Sequence, residues 1–89
     1  MVRVTFTENL QRHVQCPPTS VCAGSVRDVL TEVFAANPRA RGYVLDDQGG
    51  VRRHMIVFVN GQAILDRAGL SDTVPDGAEI YVMQALSGG

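Results

Sequence analysis

The sequence has little of what small functional sites are usually built from. Two cysteines, Cys16 and Cys22, stand among 89 residues, and the histidines His13 and His54 do not complete a metal-ligand set with them. An iron–sulfur cluster held by four cysteines cannot form on two. No apolar run approaches the roughly 20 residues that a membrane span requires. The opening Met1-Val2-Arg3-Val4-Thr5-Phe6 alternates in polarity instead of forming a signal-peptide core. The expected location is therefore cytoplasmic, where Cys16 and Cys22 are expected to be ordinary thiols. Net charge is -1, with arginines and carboxylates interspersed. Without a sustained basic stripe to neutralise phosphates, nucleic acid is not an expected partner, and neither is a membrane. No nucleophile, base and orienting group occur as a set, which leaves an enzyme as the least supported class.

What is present is the composition of a folded domain, with 45% hydrophobic and 19% charged residues. The length allows one modest core. Val2, Val4 and Phe6 alternate with Arg3, Thr5 and Thr7, the period-two pattern of a half-buried strand. After a turn near residues 8–11, residues 13–22 read as a broken or edge strand, because Pro17-Pro18 cannot donate to a ladder. Val26, Val29, Leu30, Val33 and Phe34 then fall on one helical face. Ser25 and Asp28 stand where a capping box would start that helix, and Asn37-Pro38 closes it.

Residues 38–54 read as an arginine-rich loop turning at Asp46-Asp47-Gln48-Gly49-Gly50. Its Arg39, Arg41, Arg52 and Arg53 suit an acidic partner or a nucleotide, although a solvated loop accounts for them more simply. A strand follows at residues 55–59 and is ended by the hairpin signal Asn60-Gly61. Residues 62–65 reverse direction, and a loop over 66–77 ends in the turn Val74-Pro75-Asp76-Gly77. The last strand, residues 79–84, sets Ile80 and Val82 on one face and Tyr81 and Met83 on the other. Ala85-Leu86-Ser87-Gly88-Gly89 follows it.

The order strand, strand, helix, strand, short strand, strand predicts an α+β chain of β-grasp, ubiquitin-like fold. Four to five strands form a mixed sheet packed on one main helix, with Val2, Val4, Phe6, Ile80 and Val82 against the helix stripe. The domain is expected to occupy residues 1–86, with 87–89 as a flexible tail. Glycine lacks a Cβ, so Gly88-Gly89 can pass a channel too narrow for a side chain.

Val59-Asn60-Gly61, Pro75-Asp76-Gly77 with Glu79, the strand Ile80-Tyr81-Val82-Met83 and the ending Ala85-Leu86-Ser87-Gly88-Gly89 coincide. In these the chain resembles the sulfur carriers that include the molybdopterin synthase small subunit and the thiamine-biosynthesis carrier. The resemblance implies that the Gly89 carboxylate is adenylated with ATP by a ubiquitin-activating-like enzyme and then converted to a thiocarboxylate. The sulfur passes to an acceptor synthase, and no cofactor resides on the carrier. Carried over by position, Gly88 threads the channel, and Tyr81, Met83 and Leu86 dock partners. Core packing beneath residues 38–54 is an equal reading for Tyr81 and Met83. Ser87 departs from the small apolar residue often found before the glycines, and the segment before Met55 is longer than in the compact thiamine-type carriers. A protein modifier joined through Gly89, or a non-covalent β-grasp module, are the competing readings.

Overall fold

The structure is a computed structural model that describes residues 1–7 and 17–84. The strand β1 (Val2–Phe6) buries Val2, Val4 and Phe6, and it pairs antiparallel with β2 (Thr19–Val21). After the two-residue β3 (Gly24–Ser25) comes the helix α1 (Val26–Ala36). Its start is a complete capping box: Asp28 N–H donates to Ser25 Oγ at 3.1 Å, and Ser25 N–H donates to Asp28 Oδ2 at 3.3 Å. The five apolar residues of its stripe are all buried.

The segment after α1 departs from the loop expected there. Pro38 begins a second helix, α2 (Pro38–Val44), which buries Ala40 and Val44 against α1. Proline suits the first helical position because its missing N–H has no partner to lose there. The strand β4 (Met55–Val59) and the short β5 (Gln62–Ala63) form a hairpin through Asn60 and Gly61, both at positive φ (50° and 84°). That pair of dihedrals is the two-residue turn whose twist matches its strands. The 66–77 segment contains β6 (Thr73–Val74), which pairs with β3 as a separate two-stranded sheet. The last strand is β7 (Glu79–Gln84).

The main sheet has the order β2-β1-β7-β4-β5, with β7 parallel to β1 and antiparallel to β4. The final strand therefore lies at the middle of the sheet beside the first. The inward faces of these strands and the stripe of α1 make one cluster that includes Phe6, Leu30, Val57, Ile80 and Val82, each no more than 1% exposed.

Two carboxylates hold the 64–72 loop over this core. Asp72 accepts N–H bonds from Leu65 and Asp66 at 3.0 and 2.8 Å, and Asp66 accepts from Gly69 N–H and from Ser71. The Leu65 N–H, then the Asp66 N–H, hold the Asp72 carboxyl below its ordinary range, and the Ser71 hydroxyl does the same for Asp66. Both groups bind protons less readily when folded than when unfolded. Their contribution is fully present above the unfolded value of about 3.9 and is lost as pH falls through the lower folded values. Denaturant midpoints measured between about pH 5 and pH 2 should therefore fall more steeply for the parent than for Asp72→Asn.

Candidate functional site

The outward face of the sheet is set by its register. Tyr81 on β7 lies opposite Phe58 on β4 and Thr5 on β1, and Met83 lies opposite Ile56. Directly paired residues point to the same side, so Ile56, Phe58, Tyr81 and Met83 form one apolar patch. Tyr81 is 45% exposed, and Met83, Ile56 and Phe58 are half-buried, while their inward neighbours Val57 and Val82 are fully buried. Core packing beneath residues 38–54 is therefore not the role of Tyr81, and the helix of that segment packs on α1 instead.

The patch has a direction. At the start of β7 its surroundings are polar, since Glu79 pairs with Arg3. Toward the end of β7 they turn apolar, where Met83 faces Ile56. Gln84 pairs with Met55 as the last described residue of the strand. The patch thus adjoins the point from which the chain continues toward Gly88-Gly89. Leu86, Gly88 and Gly89 lie outside the described residues, and Tyr81 and Met83 fall together on the face expected for them.

Ile56 and Phe58 belong to this face although the sequence reading assigned them no role. The signal was available: Met55–Val59 is apolar at every position, and a strand apolar on both faces has something to cover on both.

At the same end of the sheet a cavity of about 230 Å³ is lined by Gly42, Tyr43, Arg52, His54, Met55 and Gln84. Arg52 is fixed there, its Nε donating to the Gly42 carbonyl at 2.7 Å, while Arg67 donates to the Arg52 carbonyl. At the opposite end, Gly77 at φ 83° closes the turn whose Ala78 N–H reaches the Pro75 carbonyl at 3.1 Å. Asp76 of that turn pairs with the Met1 ammonium. No group of three or more His, Cys, Asp or Glu that could hold a metal occurs among the described residues. No helix there is long and apolar enough to cross a membrane.

No family model and no curated protein matches the chain. Solved structures do. SAMP1 from Haloferax volcanii is 24% identical, with 99% of this chain and 98% of that chain covered at a TM-score of 0.77. A chain of the Amycolatopsis orientalis BexX/CysO complex is 20% identical over 100% of both chains, with a TM-score of 0.83. CysO from Mycobacterium tuberculosis is 19% identical, covering 97% of this chain and 100% of that one at 0.80. The chain has their fold. It is the ubiquitin-like β-grasp, realised here with a five-stranded mixed sheet and two described helices.

Proposed function

We propose that this protein is a sulfur carrier whose working group is the carboxylate of Gly89. The observation that carries the reading is the Gly88-Gly89 ending five positions after the central strand's Gln84, on a fold matched end to end by SAMP1 and CysO. In the proposed chemistry a Gly89 carboxylate oxygen attacks the α-phosphorus of ATP bound to a ubiquitin-activating-like enzyme, and pyrophosphate leaves. A hydrosulfide-level sulfur nucleophile then adds to the acyl carbon, the C–O bond to the phosphate breaks, and AMP departs with the electron pair. The resulting thiocarboxylate donates its sulfur to an acceptor synthase. All catalysis belongs to the partners, and the carrier supplies a backbone end without side chains and a surface for docking.

Intact-mass spectrometry tests this directly. After incubation with the activating enzyme, ATP and a sulfide source, the chain should gain the mass of sulfur replacing oxygen, localised to Gly89. No gain under conditions in which the enzyme consumes ATP would count against sulfur carriage.

The modifier reading draws on the small archaeal modifier proteins among the similar structures. In that reading a target amine, instead of sulfur, attacks the acyl-adenylate. The sequence contains no lysine, so one copy offers no ε-amine to another, and such modification would stop at a single copy per site.

The apolar patch is the proposed docking face. Truncating Tyr81 to Ser should lower kcat/KM for activation by about tenfold, the effect of losing one central aromatic anchor. Because the residue is exposed, its stability cost should be about 1 kcal/mol or less. Parallel urea titrations and activation kinetics check both halves.

A further inference from the structure

The arginines of residues 39–53 are not used by the chemistry above, and the fold gathers part of them at one place. Met55, the cross-strand partner of Gln84, is preceded by Arg52, Arg53 and His54, which make a turn closed by Met55 N–H donating to the Arg52 carbonyl at 3.0 Å. All three side chains are exposed, and Arg52 and His54 line the same cavity as Gln84. The bond to Gly42 pins Arg52, so its charge has a fixed position rather than a solvated sweep. No carboxylate forms an ion pair with any of the three among the described residues. Asp46, on the turn that leads into Val51 and Arg52, spends its Oδ1 on the N–H groups of Gln48 and Gly50.

At the other end of β7 the carboxylates are already matched, Asp76 by the Met1 ammonium and Glu79 by Arg3 across from it. Six residues of strand at about 3.4 Å each separate the two ends by about 20 Å. That exceeds the Debye length of about 8 Å at physiological salt. The carboxylates at that end therefore do not cancel the charge of Arg52 and Arg53, which stands beside the exit of the chain from the sheet despite a net charge of -1.

We propose that Arg52, Arg53 and His54 form a basic collar at the root of the C-terminal segment, which docks on an acidic surface around the channel of the enzyme receiving that segment. The inference rests on the carrier reading and adds to it the sign of the partner's surface. The apolar patch supplies contact area, and the collar supplies orientation. A charged collar orients the encounter so that the tail meets its channel, and an effect of this kind appears in association more than in the bound state.

The test is a steady-state assay of ATP-dependent activation of the full chain by a recombinant ubiquitin-activating-like enzyme from the same genome. It compares the parent with Arg53→Glu, Arg53→Gln and Arg27→Glu. No hydrogen bond or ion pair engages the Arg53 or Arg27 side chain among the described residues, so these variants should fold. Arg27 lies in the first turn of α1, where a carboxylate is tolerated by the helix dipole. Arg53→Glu should lower kcat/KM about tenfold or more at low salt with kcat unchanged. Arg53→Gln should fall between it and the parent, and Arg27→Glu should match the parent. The gap should close at about 1 M salt, where the Debye length is about 3 Å. Arg53→Glu equal to the parent at low salt, or Arg27→Glu equally impaired, overturns the collar while leaving the carrier reading intact. A parent chain that is never activated overturns both.

Discussion

Deleting Gly89 should abolish sulfur loading and leave the domain as stable as before. In the proposed chemistry the terminal carboxylate must reach the α-phosphorus of ATP inside another protein, and a tail ending at Gly88 falls one residue, about 3.5 Å, short of that atom. Near-attack geometry tolerates no such displacement. Gly89→Ala should fail as well, because the added Cβ must enter a passage suited to bare backbone. Among the described residues, by contrast, the last member of the hydrophobic cluster is Val82. The unfolding free energy of either variant should therefore lie within about 0.5 kcal/mol of the parent. The two measurements are intact-mass detection of the thiocarboxylate and urea denaturation of the same preparations. Loss of folding on deletion would place Gly89 inside the core and defeat the proposal.

The second large effect concerns the fold. Phe6 is 1% exposed, lies in β1 opposite Val82 and meets the Phe34 ring of α1 with centroids 6.2 Å apart at 43°. It thus joins the sheet to the helix. Phe6→Ala should cost about 3–5 kcal/mol, because the lost transfer free energy is joined by a cavity that a sheet–helix contact closes poorly. A chain of 89 residues has roughly 4–13 kcal/mol in all. The variant should melt more than about 10 °C lower, and part of the population should be unfolded at 37 °C if the parent sits at the lower end. Thermal denaturation followed by circular dichroism checks this. A loss below about 1 kcal/mol would mean that β1 and α1 are not packed as described.

Much of this architecture is readable from residues whose local chemistry and tertiary role agree. The alternation of Val2, Val4 and Phe6, the stripe from Val26 to Phe34, the Ser25 and Asp28 cap and the Asn60-Gly61 turn each name an element that the structure contains. The helix α2 was missed because seven residues with Ala40 and Val44 as their buried positions carry too little periodicity to stand out. Gly42 in its middle argues against a helix as well. The strands β3 and β6 are two residues each, and no alternation can be read from two residues. Of the site, the pairing of Tyr81 and Met83 on one face follows from period two alone. Their neighbours Ile56 and Phe58 come from a separate strand, and which residue meets which depends on a register that the sequence does not state. The basic collar was hidden for the same reason. Arg52, Arg53 and His54 are adjacent to one another in sequence, but their nearness to Gln84 arises only when β4 runs antiparallel to β7.

The central position of β7 also has a mechanical meaning. An enzyme that draws the C-terminal segment into a channel exerts force along that strand, which is bonded to β1 on one side and β4 on the other. Ladder bonds run across the strands, so the pull loads both rows in shear and all at once, instead of peeling them one by one. A chain built this way can be tugged by its end and keep its shape.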